Sequence, residues 1–352
     1  ANICKGENMN KKYCYVSECV PGQIIAEDIY NDSGILIIPK NAVVDENLIE
    51  KLNNLGIIRI QVLEDAFIDP NLLEIKRDYS KNVSEVKEVL NDIVTGKELD
   101  YKKVNQISNS VYSQVTSNFG IINCISSIRD ADQYTYTHSV NVSLYSMLIG
   151  KWLGLSDEDI KNLIEGGLLH DVGKVKIPSE LLNKRGKLTP EEFEIIKRHV
   201  IYSYEICKNI EELDPEVKKA ILMHHERENG SGYPYGIKGK DMNLYAKIIA
   251  IADVYDAITS NRVYRKRKNP FETFKEFEEV GIGSGNFDIK ILLTFLSNIA
   301  TYYTGSKVLL NTGDTGEIVY IAPHCISSPV VRVGERFIDL YTNKDYSIVE
   351  IL

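Results

Sequence analysis

The segment LLHDVGKVKIP, residues 168–178, indicates the fold more directly than any other part of the sequence. It sets an imidazole beside a carboxylate, at His170 and Asp171, directly after an apolar segment. Adjacent residues of a helix project about 100° apart, so both side chains can reach one cluster of metal ions. Because a carboxylate can bind two cations with its two oxygens, Asp171 is the predicted shared ligand.

Outward from this pair, the histidines of the protein are concentrated in one region. Five of the six lie between His138 and His225, in segments with a helical pattern. Besides His170, these are His138 in YTYTHSVNVSLYS, His199 after PEEFEIIKR, and His224-His225 at the end of VKKAILMHH. Asp253 lies in the apolar run KIIAIADVYDAITS, where a carboxylate is costly to bury without a partner. This nitrogen-rich set favours iron, zinc, nickel or copper over calcium or magnesium.

Composition and charge limit the classes of protein that fit this sequence. Its 352 residues are 43% hydrophobic and 26% charged, as expected for a globular protein with roughly two or three domains. The net charge of −9 argues against a nucleic acid polymer as partner, whereas a small anionic substrate fits if cations hold it. No apolar run reaches the roughly 20 residues that cross a bilayer, and the start lacks a signal peptide. We therefore expect a cytoplasmic protein without a membrane span.

The pattern along the sequence predicts a mainly α protein with a small N-terminal α+β unit and a small β-rich C-terminal unit. In the N-terminal unit, Asp45 is the predicted N-cap of a helix that ends before Gly56. Long amphipathic patterns follow, and turn residues separate short β-rich segments at the end. The predicted divisions are an α+β unit at 1–68, a helical linker at 69–118, an all-α domain at 119–303 and a β-rich unit at 304–352.

In combination, these motifs resemble the HD-GYP family, a branch of the HD phosphohydrolase superfamily. The pair His170-Asp171 carries the resemblance together with the later Gly232-Tyr233-Pro234. The matching stretches, at about residues 120–300, are YTYTHSVNVS, LLHDVGKVKIP, KLTPEEFEIIKRH, HHERENGSGYP and IIAIADVYDAITSNRVYR. The resemblance implies a helical HD-type domain that hydrolyses cyclic di-GMP to pGpG or to GMP.

The resemblance also implies a site for divalent metal ions, often iron or manganese. The two implied ligand sets share one carboxylate and are His138, His170, Asp171 and Asp253, and Asp171, His199, His224 and His225. Some members of the family carry a glutamate one helical turn before the first histidine and bind a third metal. That position is Tyr134 here, so we expect two metals, and the nearby Asp132 is kept as a catalytic candidate.

The positive charge of two metal ions implies a mechanism. Two cations ~3.5–4 Å apart lower the pKa of water, so a hydroxide that bridges them is the expected nucleophile toward phosphorus. Lys174 would share a helix face with His170 and matches a lysine of the family near the phosphate, which implies phosphate binding or assistance to the leaving group. Tyr233 is implied to touch the ligand. Arg262 and Arg265 match the arginines of the family's RPYR segment, and the planar guanidinium of Arg262 suits a phosphodiester best.

Four residues depart from the family pattern, and none of them is a predicted metal ligand. Val200 and Ser203 stand in place of the proline and the glycine that follow the third histidine. Asn229 replaces an aspartate of the loop, and Val263 replaces the proline of RPYR. These departures bear on loop shape, substrate fit and turnover.

The sequence leaves alternatives to hydrolysis of cyclic di-GMP. One is a phosphodiesterase of the same family that prefers cyclic GMP-AMP. Another is an HD phosphohydrolase for a nucleotide such as a dNTP, against which the GYP loop and the second ligand set argue. A different class is a non-catalytic receptor for a cyclic dinucleotide, or a metal or redox sensor, that signals through residues 1–118. The helical linker has two interpretations, a strap on the following domain and a signalling or dimerisation helix, and the second would give a homodimer.

Overall fold

The computed structural model describes residues 10–30, 34, 36–67, 70–113, 134–184, 186–259, 269–322 and 325–352. Within these ranges the protein divides into two compact units. The first holds residues 10–80, and the second holds the described residues from 81 onward. Labels below number the described helices and strands in order along the sequence.

The first unit is a small α+β structure, as predicted. Its strands β1, β5 and β2 form an antiparallel sheet in that order, and β3 pairs with β4. Helix α1 begins after Asp45, whose side chain accepts a hydrogen bond from the Leu48 N–H at 2.7 Å, which confirms the predicted N-cap. The elements are β1 Lys11–Tyr15, β2 Gln23–Ile25, β3 Ile29–Tyr30, β4 Leu36–Ile38, α1 Glu46–Asn54 and β5 Arg59–Phe67.

The second unit is mainly helical. Helix α2, Pro70–Val94, begins in the first unit and ends in the second. The other α-helices are α3 Tyr101–Ser113, α4 Tyr134–Trp152, α5 Asp157–Leu169, α6 Ser179–Leu182, α7 Pro190–Lys197, α8 His199–Cys207, α9 Pro215–Met223, α10 Leu244–Thr259, α11 Pro270–Glu276 and α12 Ile289–Thr301. A 3-10 helix covers Val172–Lys176, and a π-helix covers Phe277–Ile282. Across the described residues, no helix has the length and apolar character needed to cross a membrane.

The core of this unit surrounds α4 and α10. Residues 137–150 of α4 are all buried, including its serines and its histidine. The Tyr255 ring of α10 meets Tyr145 of α4 and Phe295 of α12 edge to face, with centroids 5.0 and 4.8 Å away. Helix α5 packs closely on α4 at Gly167, where a Cβ would lie 2.6 Å from Ser143 Cα. This approach brings the end of α5 beside the start of α4.

Five antiparallel strands form a sheet after the last helix, in the order β10-β6-β7-β8-β9. The predicted β-rich C-terminal unit is therefore confirmed. In the same unit, the Glu278 carboxylate of the π-helix accepts a hydrogen bond from the Ile326 N–H of β8 at 2.8 Å. The strands are β6 Lys307–Leu310, β7 Thr315–Ala322, β8 Cys325–Val333, β9 Arg336–Asp339 and β10 Ile348–Ile351.

A buried carboxyl joins α3 to α5 and makes the stability of this unit sensitive to pH. Tyr101 Oη donates to Glu165 at 3.1 Å, and Asn105 Nδ2 lies 3.4 Å from the same carboxyl. Burial raises the pKa of Glu165, and these two hydrogen bonds offset the rise only in part. The folded state therefore holds this proton more tightly than the unfolded state does. Its contribution to stability is lost as pH rises from about 4.5 through the folded pKa.

Glu165→Gln should abolish this loss of stability at high pH, because glutamine keeps an acceptor for Tyr101 and cannot ionise. We expect the variant to melt at a higher temperature than the parent at pH 8, with the difference shrinking toward pH 4.5. Thermal unfolding followed by circular dichroism measures it. Glu194→Gln is the matched control, because that side chain is 67% exposed. An identical difference at both pH values would contradict the assignment.

Candidate metal centre

Seven side chains that the sequence singled out lie close together in the second unit. Five helices position them. The seven side chains are His138 of α4, His170 and Asp171 after α5, His199 at the start of α8, His224 and His225 after α9, and Asp253 of α10. Their ligand atoms fall into two groups around the carboxylate of Asp171.

The first group surrounds one oxygen of that carboxylate. Asp171 Oδ2 lies 3.4 Å from His138 Nε2 and 3.3 Å from His170 Nε2. The two Nε2 atoms are 3.3 Å apart. Asp253 Oδ1 lies 3.2 Å from His138 Nε2 and therefore faces the same point.

The second group surrounds the other oxygen. Asp171 Oδ1 lies 3.1 Å from His199 Nε2 and 3.9 Å from His224 Nε2. With His225, the ligand atoms of this group all lie within 4.8 Å of one another. His225 Nδ1 is 3.8 Å from Asp253 Oδ2, so Asp253 faces both groups. Asp171 has one oxygen in each group, as a bridging ligand requires, and the ligand assignment itself stays a prediction.

Hydrogen bonds donated by Nδ1 orient four of the five imidazoles. The Nδ1 atoms of His170, His199 and His224 each lie 2.8 Å from the carbonyl oxygen three residues earlier in the sequence. A carbonyl only accepts, so each Nδ1 carries the proton and each Nε2 presents a lone pair to the centre. His138 Nδ1 lies 2.7 Å from Asp256 Oδ2, which fixes the same tautomer.

Three polar atoms of the centre are buried without a hydrogen-bond partner among the described residues. They are Asp171 Oδ1, His199 Nε2 and His224 Nε2. An unsatisfied buried polar atom costs about 1–3 kcal/mol, and three that face one another require a common partner. One of these atoms is a carboxylate oxygen, and the other two are imidazole nitrogens with a lone pair. One divalent cation can satisfy all three, whereas a separate hydrogen-bond donor for each atom does not fit.

The electrostatics of the centre favour the protonation states that bind metal. Burial alone would raise the pKa of Asp171, but the charge of Lys174 and the polar surroundings provided by the imidazoles of His170 and His138 hold it well below its usual range. Burial lowers the pKa of His225 to about 3 and lowers that of His224 as well. At neutral pH the carboxylate is ionised and these imidazoles are neutral, which is the state of a ligand.

Lys174 differs from the sequence prediction in its local structure. A continuing helix would have put it on the His170 face, but α5 ends at Leu169 and Lys174 lies in the 3-10 helix. Side chains at i and i+3 eclipse in a 3-10 helix, so the Lys174 ammonium forms an ion pair with Asp171 Oδ2 instead. Its side chain is 27% exposed. Its role at the phosphate stays a prediction.

The GYP loop closes over the second group. The Tyr233 ring stacks on His225, with centroids 4.6 Å apart and planes 26° from parallel. Burial raises the pKa of the Tyr233 phenol, which therefore stays protonated. Glu226 holds the loop, because its buried carboxylate accepts hydrogen bonds from the N–H groups of Tyr235 at 2.7 Å and Ile237 at 2.9 Å.

Two site residues were missed from the sequence, Glu226 and Asp256. Asp256 accepts from His138 and, at 2.8 Å, from Asn141 Nδ2, so it orients a predicted ligand. A signal existed in each case. Asp256 is a second carboxylate in the same apolar run, three residues after Asp253, and Glu226 follows the histidine pair directly.

Two of the departures from the family pattern form hydrogen bonds of their own. Ser203 Oγ accepts from the Gly173 N–H at 2.8 Å. Asn229 Nδ2 donates to Ser284 O at 3.0 Å and to Asn286 Oδ1 at 2.9 Å, which an aspartate could not do. Val200 is fully buried. The predicted residues Asp132, Arg262 and Arg265, and the departure at Val263, lie outside the described residues, as does the side chain of Tyr134.

Asp256→Asn should weaken metal binding, because the amide removes the negative charge behind His138. Loss of such a supporting carboxylate typically lowers metal affinity by about 10- to 100-fold. Titration of the metal-free protein with Mn(II) by calorimetry measures this. Asp256→Glu should recover part of the affinity, and the exposed Asp241→Asn is the matched control. Unchanged Mn(II) affinity in Asp256→Asn would show that the carboxylate does not support a ligand.

Comparison with known proteins supports the helical domain that the sequence motifs indicate. The HD domain family model matches residues 123–288. A cyclic di-GMP phosphodiesterase of Pseudomonas aeruginosa is 30% identical over 254 residues, which cover 72% of this chain and 61% of that protein. A cyclic di-GMP phosphodiesterase of Thermotoga maritima is 38% identical over 164 residues, covering 46% of this chain and 43% of that protein. A 3'3'-cGAMP-specific phosphodiesterase of Vibrio cholerae is 31% identical over 233 residues, covering 66% and 40%.

The protein thus spans less than two thirds of the length of each of these relatives. The solved structure of Bd1817, an HDG"Y"P protein of Bdellovibrio bacteriovorus, matches with a TM-score of 0.53 at 20% identity and covers 81% of this chain and 98% of that one. This likeness confirms the predicted fold class. Residues 123–288 thus match an HD domain, as the motifs predicted, and the relatives that share this region include proteins named as cyclic di-GMP phosphodiesterases.

Proposed function

We propose that this protein is a metal-dependent phosphodiesterase that hydrolyses cyclic di-GMP to pGpG or GMP. The observation that carries the proposal is the carboxylate of Asp171, whose two oxygens each face a separate group of imidazole nitrogens. A shared carboxylate between two nitrogen-rich groups suits a pair of cations rather than one. The names of the relatives in Pseudomonas aeruginosa and Thermotoga maritima supply the substrate class.

The proposed cofactors are two divalent ions, iron or manganese, held by the seven residues described above. When bound, such ions would lower the pKa of water and offset the negative charge that develops on the phosphodiester. The buried, ionised carboxylates and the neutral imidazoles would hold the two ions in place. The three buried atoms without hydrogen-bond partners support this occupancy, because a cation would satisfy each of them.

The substrate-facing groups are cationic or hydrogen-bond donors. The Lys174 ammonium lies at the edge of the centre, partly exposed, where it can approach a phosphate oxygen or the departing ribose oxygen. The Tyr233 hydroxyl stays protonated and can donate to the same anion. Arg262 and Arg265 are proposed as further phosphodiester contacts on sequence grounds alone.

A phosphodiesterase that prefers cyclic GMP-AMP is the second candidate. It is favoured by the relative named as 3'3'-cGAMP-specific, which is 31% identical over 66% of this chain. The third candidate, a non-catalytic receptor or sensor, is less favoured because all seven predicted ligand positions lie together. The cytoplasmic location and the homodimer stay proposals, the latter to be tested by light scattering.

The decisive experiment counts metal and turnover on one sample. Protein purified without chelator at low oxygen should hold about two metal ions per protomer and convert cyclic di-GMP to pGpG or GMP with Fe(II) or Mn(II) present. Asp171→Ala should abolish turnover and lower the metal content. Lys174→Met should lower kcat by roughly 100-fold or more while the metal content stays unchanged. Elemental analysis and chromatography of the products measure both quantities.

Asp241→Asn, an exposed change, should leave both quantities as in the parent. Full activity in Asp171→Ala would remove the bridging role. Loss of metal in Lys174→Met would make the lysine a structural support of the centre. Two bound metals with no product from either cyclic dinucleotide would favour the receptor.

A further inference from the structure

Two cysteines of the first unit lie side by side in its hydrophobic core. Cys14 belongs to β1, and Cys19 directly follows the short 3-10 helix Val16–Glu18 that comes after this strand. Both are free thiols, and their Sγ atoms are 3.4 Å apart. Atoms that a protein holds about 3–3.5 Å apart are at the distance from which a bond can form. The fold therefore places the two sulfurs ready to react with each other.

Backbone hydrogen bonds hold both cysteines in position. Cys14 pairs with Ile60 of β5 in the antiparallel sheet. The 3-10 helix then turns the chain, and the Cys19 N–H donates to Val16 O at 3.3 Å. A disulfide has an S–S distance of about 2.05 Å, so the two sulfurs must approach by roughly 1.4 Å in total. Small rotations about the two Cα–Cβ bonds supply a movement of this size.

The surroundings of the two sulfurs are apolar. Cys14 and Cys19 pack in one buried cluster with Ile25, Leu52 and Val62. A disulfide has no charge and no hydrogen-bond donor, so it fits among these side chains. A sulfinate is an anion and would be costly to bury there. The core thus favours a disulfide over further oxidation of either sulfur.

The hydrogen bond between the two side chains distinguishes their roles. The Cys19 S–H donates to Cys14 Sγ. Burial, and then this contact with Cys14, raises the pKa of Cys19 to about 12, so Cys19 keeps its proton at neutral pH. The thiolate is the form of cysteine that attacks an oxidant. Cys14 is therefore the sulfur to be oxidised first, and Cys19 is the thiol that reacts with the oxidised Cys14.

We propose that Cys14 and Cys19 form a reversible disulfide when the protein meets a hydroperoxide such as hydrogen peroxide. The Cys14 thiolate attacks one peroxide oxygen and the O–O bond breaks, which gives a sulfenic acid. The hydroxide that departs takes up the proton that Cys14 released and becomes water. The Cys19 sulfur then bonds to Cys14, and its proton passes to the departing hydroxide of the sulfenic acid, which gives a second water. In total, two thiols lose two electrons and one peroxide becomes two waters.

The experiment exposes the full-length chain to hydrogen peroxide and then maps free thiols by alkylation and peptide mass spectrometry. A Cys4→Ser/Cys124→Ser background leaves only cysteines that the structure describes. Cys14 and Cys19 should lose their free thiols together, with the loss of two hydrogen atoms, and dithiothreitol should restore both. Cys325 is the matched control, because it is a free thiol with 7% exposure against 8% for each member of the pair, and it should stay reduced.

Two variants test the order of the steps. Cys19→Ser has no thiol to complete the disulfide, so the sulfenic acid of Cys14 should persist and react with dimedone. Cys14→Ser should leave Cys19 reduced under the same conditions, because the Cys19 thiol keeps its proton. Dimedone labelling of Cys19 in Cys14→Ser, without labelling of Cys14 in Cys19→Ser, would reverse the assigned order.

The proposal itself depends on the protein with both cysteines present. Free thiols at Cys14 and Cys19 after the peroxide has oxidised Cys325 would overturn it. A disulfide that joins either of the two to another cysteine would also overturn it. So would a product at Cys14 that dithiothreitol does not reduce, because a sulfinic acid, unlike a disulfide, resists this reagent. Neither result depends on metal binding or on turnover of a cyclic dinucleotide.

Discussion

The structure of the centre depends on one carboxylate that is buried among imidazoles. Asp171 faces Nε2 atoms of four histidines, and its side chain is almost completely removed from water. An ionised carboxylate in such a place is stable only where positive charge is near, and Lys174 is the one fixed charge that the described residues place on it. The close packing of α5 on α4 at Gly167 serves the same constraint, because it sets His170 beside His138.

Most of the candidate centre could be predicted from residue types. Five histidines in one helical region and a carboxylate in an apolar run are improbable without a common partner. The helix cap at Asp45 and the strands of the small units could also be predicted. Their signals, a capping side chain and alternating apolar residues, lie within the elements themselves. These features depend only on the residues next to them in the sequence, so sequence alone is sufficient to predict them.

The rest depended on contacts between distant segments. Asp256 orients His138, which is far from it in the sequence, and nothing local separates its role from that of Asp253. Glu226 binds backbone groups of the loop that follows it, so its role depends on how the loop folds back. The 3-10 helix at Lys174 and the π-helix at Phe277 are irregular turns that an average helical pattern does not reveal.

The histidine hydrogen bonds have a consequence for the helices themselves. Gly167, Ile196 and Ile221, whose carbonyls accept from the imidazoles, lie in the last turns of α5, α7 and α9. Carbonyls of a last turn lack the partner that the helix interior provides, so each imidazole caps the C-terminal end of a helix. Folding of three helix ends and orientation of three lone pairs are thus one event. The rotational entropy of these rings is lost when the protein folds, and a cation that arrives later meets ligands that are already aligned.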